Sequence, residues 1–216
     1  MPQNIPDPAP DASTIERADV AVAQAAAQVR DVPAVKAIGS LAEVGDQPPL
    51  LGISAVVAGV GLWRRDRRLI RAGVRMFAAT LTATVLKDLI KRQVARTRPT
   101  MMIDEGRYEM KRGGPYEGKW NSFPSGHTAG ALAVSRALAR EYPEAKLPAY
   151  AAAAAIAGAQ VPNCNHYPSD IGAGAVVGLA SEWLVDRGVQ AIERRLEPKL
   201  HRAALVRQEA AARLVC

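Results

Sequence analysis

Three histidines occur in the 216 residues, and two of them stand beside groups able to make an imidazole into a reagent. In Asn165-His166-Tyr167-Pro168-Ser169-Asp170, His166 and Asp170 stand four positions apart. That spacing lets the carboxylate accept from one ring nitrogen and leaves the other as nucleophile or base. His127 lies in Phe123-Pro124-Ser125-Gly126-His127-Thr128, directly before an apolar segment. There Ser125 reads as a helix N-cap, and Gly126 exposes the N–H groups of the first turn as an anion-binding concavity in which His127 can donate a proton. A third cluster runs from Lys91 to Arg98 and Pro99. Seven residues is nearly two helical turns, so Lys91 and Arg98 are expected on one helical face, with Pro99 ending the run. Two such cations suit a dianionic phosphate, Arg98 binding it through a planar fork. Each cluster also has a bland reading, as a capped helix or as a basic terminus that complements a helix dipole. His201, in the charged tail, reads as a surface residue.

The elements that must carry these clusters are helical. Ser13 and Glu16 have capping-box spacing, and Ile15, Ala18, Val22, Ala25 and Val29 then mark an amphipathic helix. From Gln47 to Trp63 the chain has no charge, about 26 Å as helix against the roughly 30 Å hydrocarbon core of a bilayer. The basic turn Arg64-Arg65-Asp66-Arg67-Arg68 follows, then a second helical pattern from Leu69 to about Lys91, whose Arg71 and Arg75 are expected to snorkel back toward that turn. Residues 92–122 read as a long polar loop. Three further apolar segments, His127 to Leu138, Leu147 to Val161 and Ile171 to Val185, are rich in Ala, Gly and Val, as helices that pack closely require. The tail from Arg187 is amphipathic and basic. This divides the chain into residues 1–46, a Pro-rich segment and amphipathic helix, a core at 47–186, and a tail at 187–216.

Composition sets the outer limits. The formal charge of +7 points to an anionic partner, and the two cysteines, Cys164 and Cys216, supply neither a disulfide framework nor a four-cysteine zinc site. The basic residues track helix ends rather than one stripe, and no nucleic-acid-binding module is present. No charged n-region precedes an apolar run at the start, so a secretory signal is not expected. The mean hydropathy of −0.05 keeps a soluble Ala-rich bundle open. The alternation favours a membrane protein: the 64–68 turn, the 140–146 turn and the basic tail fall on one side, which the positive-inside rule makes cytoplasmic, and the long loop falls on the other.

In order, the clusters spell K-x6-R-P, P-S-G-H and H-x3-D. With these motifs, residues 50 to 186 resemble the type 2 phosphatidic acid phosphatase superfamily, whose fold is shared with vanadium-dependent haloperoxidases and bacterial acid phosphatases. The flanking apolar helices look most like the membrane lipid-phosphatase branch. The resemblance implies an all-α bundle of this type, multi-pass in the inner membrane, with its site facing the periplasm or exterior. It implies that His166 attacks phosphorus and becomes a phosphohistidine, Asp170 fixes its tautomer, and His127 protonates the leaving oxygen and then activates water. Lys91, Arg98, Ser125 and Gly126 would hold the phosphate oxygens without a metal or other cofactor, and the surplus charge of the long loop would serve the same anion. One position departs from the pattern: the family's third motif begins with Ser-Arg six residues before the nucleophile, and here Ala159 and Gln160 stand there. Gln160 is expected to donate an amide hydrogen bond to phosphate without charge, with Arg92 or Arg96 as compensating cations. The expected function is hydrolysis of a lipid phosphate or isoprenyl diphosphate. A non-catalytic head-group binder and a soluble acid phosphatase are the alternatives.

Overall fold

The basic turn is where the bundle begins. Arg65 adopts a left-handed conformation (φ 56°) that ends α3 (Gln47–Arg64). The Asp66 carboxylate then caps α4 (Arg67–Lys91), accepting from the Arg68 and Leu69 amides at 2.9 and 3.1 Å. The two helices pack tightly enough that a Cβ on Gly73 would lie 2.3 Å from the Ala58 backbone nitrogen. The computed structural model describes residues 12–114 and 118–215. The Pro-rich opening of the chain, the His201 side chain and the faces of the basic tail beyond Arg195 lie outside the described residues.

Before this pair come α1 (Thr14–Ala27) and α2 (Pro33–Ala42), and after it a two-stranded antiparallel hairpin, β1 (Val94–Arg96) and β2 (Met110–Arg112), enclosing α5 (Pro99–Glu105). The segment expected as a featureless loop is therefore structured. Three further helices complete the order: α6 (Gly126–Glu141), α7 (Lys146–Ala159) and α8 (Pro168–Val215). α6 lies between α4 and α7. Through Glu182 the chain forms one unit; residues 183–216 form a second, in which Arg187 lies over the Trp183 ring.

The two turns expected on one side do meet. Arg68 donates to the Glu141 carbonyl at 2.5 Å and to the Glu144 carboxylate, and its guanidinium lies 4.1 Å from the Tyr142 ring centre. Arg75 does not snorkel. Its side chain is buried and pairs with Glu141 at 2.9 Å, with Arg71 beside it at 3.4 Å, because the carboxylate at the end of α6 offers a closer partner than solvent.

The capping box of α1 forms as read, with Ser13 and Glu16 each satisfying the other's backbone N–H. The face was misread. Ile15, Val22 and Val29 are exposed, while Asp19, Val20, Ala23 and Ala26 are buried. Val20, Ala23 and Ala26 pack with Met102 and Ile103 of α5 and with Cys164 and Tyr167. This small core fastens α1 and α5 beneath the start of α8.

Candidate functional site

The three clusters converge at one end of the bundle, at the C-terminus of α4 and the N-termini of α6 and α8. The rings of His127 and His166 face each other with centres 6.4 Å apart and planes at 61°. α6 is brought against α8 at this point by glycine: a Cβ on Gly174 would sit 2.6 Å from the Ser125 carbonyl oxygen. The Ser125 amide in turn donates to the Asp170 carbonyl at 3.0 Å.

His166 is almost wholly buried, and its Nδ1 lies 2.8 Å from the backbone carbonyl oxygen of Ser122. A carbonyl only accepts, so Nδ1 carries the proton and Nε2 keeps its lone pair. The direct bond expected from Asp170 is not made: its nearer oxygen is 3.7 Å from Nδ1. That carboxylate oxygen instead accepts from the Ser122 hydroxyl at 2.5 Å and the Tyr167 amide at 2.8 Å, so Asp170 supports the ring through Ser122. Burial pushes the His166 imidazole down to about 4, with the Asp170 charge opposing and the Arg98 and Lys91 charges adding to the fall. At neutral pH such a ring is uncharged, and its lone pair is on Nε2.

Lys91 and Arg98 reach the site by a different route from the one their spacing predicts. The helix ends at Lys91, the chain runs through β1, and Arg98 is the N-cap of α5, where Pro99 opens a helix rather than closing one. Lys91 donates to the Asn121 carbonyl at 2.7 Å. The Arg98 Nε is buried and has no hydrogen-bond partner among the described residues. Burial lowers the basicity of this guanidinium, against the pull of Asp170, Glu43 and Asp46. A buried guanidinium N–H without a partner is costly and keeps its capacity to donate to an acceptor.

Ser125 caps α6 as read, its oxygen accepting from the Thr128 amide, and is fully buried; Gly126 opens the first turn. His127 Nε2 is buried without a hydrogen bond, 3.4 Å from a Glu43 carboxylate oxygen. Gln160 is turned into its own loop. Its amide donates to the Ile156 carbonyl and its Oε1 accepts from Asn165, while its backbone carbonyl accepts from the Asn165 and His166 amides. It shapes the 160–166 loop, and the phosphate contact expected of it is not what its bonding displays. The proposed substitutes are engaged otherwise: Arg92 is exposed, and Arg96 is bonded to the Asp170 and Asp19 carboxylates. Most of the remaining loop charge is spent on surface pairs, Arg107 and Lys111 with Glu109 and Lys119 with Glu105.

Sequence reasoning missed Ser122, Glu43 and Asp19 as members of this neighbourhood, and named Arg96 only as a compensating phosphate cation rather than as the partner of Asp170 and Asp19. Ser122 acts in part through a backbone carbonyl, which no side-chain pattern announces. Asp19 did leave a signal, as a lone carboxylate between the small residues of α1.

The PAP2 superfamily model matches residues 72–194, and the chain belongs to that superfamily. It is 31% identical over 159 residues to a lipid A 1-phosphatase of Rhizobium etli, a match covering 67% of each chain. It is 30% identical over 138 residues to the decaprenylphosphoryl-5-phosphoribose phosphatase of Mycobacterium tuberculosis, covering 62% of this chain and 68% of that one. Among solved structures it resembles a transmembrane PAP2-type phosphatidylglycerolphosphate phosphatase of Bacillus subtilis, with TM-score 0.58, 21% identity, and 85% and 90% of the two chains covered. LpxE of Aquifex aeolicus gives TM-score 0.59 at 19% identity, with 82% and 97% covered. These likenesses support the helical bundle fold.

Proposed function

We propose that the chain is a membrane phosphatase that removes phosphate from a lipid through a phosphohistidine on His166. The observation that carries this reading is the pair of imidazoles 6.4 Å apart, one of them held uncharged with Nε2 free. In this mechanism the Nε2 lone pair attacks phosphorus, and the ester oxygen leaves on the opposite side, taking a proton from His127. His127, now neutral, removes a proton from water, which attacks the phosphohistidine and releases phosphate with His166 restored. In this reading Lys91, Arg98, the Ser125 hydroxyl and the Gly126 amide hold the equatorial oxygens, where charge accumulates in the transition state. The activities that the relatives are named for, on lipid A and on a decaprenylphosphoryl phosphoribose, support a lipid-borne phosphate as substrate.

The surface supports a membrane setting for more than one helix. Val74, Phe77, Leu81, Val85 and Leu89 form an exposed apolar stripe along α4, at intervals of three and four, and Ile53, Val56 and Val60 do so along α3. Among the described residues one helix, Arg67–Lys91, is long and apolar enough by itself to cross a membrane, with mean hydropathy 1.4 over its best window. A bundle in water would turn charge outward at these positions; lipid accepts the stripes as they are. With the 64–68 turn cytoplasmic, the site opens on the far side, toward the periplasm or exterior. A cysteine placed at Arg65 should then react with an impermeant thiol reagent only after cells are opened; reaction in intact cells reverses the orientation.

The direct functional test is a substrate panel on detergent-purified protein, comparing phosphatidic acid, phosphatidylglycerol phosphate and undecaprenyl diphosphate beside p-nitrophenyl phosphate. Phosphate release inhibited by vanadate is expected. A protein that binds these lipids and hydrolyses none is a head-group binder.

A further inference from the structure

We infer that Asp19 of α1 and Arg96 of β1 are positioning residues of this site, so that a helix outside the family-matched region supplies part of its catalytic support. Residues 72–194 carry the family match, and Asp19 lies more than fifty positions before them. Yet its side chain is 4% exposed and reaches the start of α8. One carboxylate oxygen accepts from the Ser169 amide at 3.0 Å; the other accepts from the Ser169 hydroxyl and from Arg96 Nη2, the latter at 2.8 Å.

The reason lies in the local sequence. α8 begins at Pro168, so the preceding residue, Tyr167, holds the N-cap position, and a phenol ring cannot fold back to cap the first turn. Asp170 satisfies the Tyr167 amide, which is half of a capping box. Asp19 supplies the missing oxygen from another helix.

Arg96 completes the link. Its Nη1 donates to Asp170 at 2.8 Å and to the Ser169 hydroxyl at 2.8 Å, and its guanidinium stacks 4.0 Å from the Tyr167 ring centre. The chain of contacts therefore runs Asp19, Arg96, Asp170, Ser122, His166. Arg96 and Asp170 alone would be a neutral pair. With Asp19 the buried trio Asp19, Arg96 and Asp170 carries one net negative charge, linked to the nucleophile through Asp170. His166 needs that charge when it gains a phosphoryl group and becomes cationic beside Lys91 and Arg98, because a buried imidazolium without a counter-charge is costly. Tyr108 extends the network outward, its hydroxyl accepting from Arg96 at 3.2 Å and donating to Glu16 at 3.1 Å.

The inference rests on His166 as the nucleophile, and its test separates the two claims. Asp19→Asn keeps size and removes the charge. In full-length protein, kcat for p-nitrophenyl phosphate should fall roughly 10–100-fold, the scale on which hydrogen-bonded partners behind a metal-bound imidazole matter, with KM within about twofold. Formation of the trapped phospho-enzyme should slow by the same factor. If Asp19→Asn does not fold, Ser169→Ala removes the hydroxyl that Asp19 and Arg96 share while leaving their direct pair and both charges in place, and should lower kcat in the same direction by a smaller factor. A folded variant that melts earlier but keeps wild-type kcat, for either substitution, would make Asp19 a structural cap only and overturn the inference. His166→Ala is the control: if it still hydrolyses the ester, the nucleophile assignment fails, whereas an inactive His166→Ala beside a fully active Asp19→Asn sinks only the claim made here.

Discussion

His166→Ala should abolish phosphate release and leave no phosphorylated protein after acid-free quenching of a labelled substrate, while the variant folds. The ring is buried, but it contributes a single hydrogen bond, to the Ser122 carbonyl, so its removal leaves one acceptor unpaired and costs on the order of 1–3 kcal/mol. Loss of the nucleophile leaves only binding and oxyanion stabilisation, and groups that act as a unit lose nearly everything when one is removed. The pH profile of the wild type carries the same signature. Nε2 attacks only when unprotonated, and burial holds the imidazole at about 4 rather than near 6.5. The rate of phospho-enzyme formation should therefore persist down to about pH 4 before it falls. An acidic limb at the ordinary histidine value would show that His166 titrates as a solvated residue. Label retained by the alanine variant would put the nucleophile elsewhere.

His127→Asn should separate the two halves of the reaction. Loss of a positioned general acid and base typically costs 10²–10⁴-fold, and a lipid phosphate, whose alkoxide cannot leave unprotonated, should show that loss in full. p-Nitrophenolate leaves without a proton, so with that ester the first step should survive and the second should stall. The expected record is a burst of about one nitrophenol per protein followed by a slow steady state, with phosphorylated His166 accumulating. The position of the ring supports this division: Nε2 is buried without a hydrogen bond among the described residues, and the ring centre lies 6.4 Å from that of His166. Equal loss on both esters without a burst would remove His127 from the leaving-group side.

The residues of the site were legible because their chemistry is local. Ser125 as a cap, Gly126 beyond it and the capping box of Ser13 and Glu16 are properties of single turns, and each forms as its spacing requires. Lys91 and Arg98 were paired for a reason that fails: the helix stops at Lys91, and a three-residue strand too short to leave a periodic signal carries the chain to Arg98. The α1 face was misjudged because apolar periodicity reports what can be buried, and here small residues and a carboxylate are buried instead. Asp19 is tolerated in that face because Arg96, 77 positions away in sequence, meets it. The bond between His166 and the Ser122 carbonyl was beyond reach for a like reason, since a backbone acceptor supplied by a distant loop has no residue type. The exposed stripe of Ile15, Val22 and Val29 is the portion of the α1 pattern that the described core does not use.

A structure of the full chain with orthovanadate bound tests the central claim most directly, because vanadate takes up the five-coordinate geometry of the phosphoryl group in flight. The account predicts a covalent bond from vanadium to His166 Nε2, the opposite apical oxygen within hydrogen-bonding reach of His127, and Lys91 and Arg98 on the equatorial oxygens. Vanadate bound at the cations with His166 still turned away from it, or bound at another face of the bundle, would contradict it.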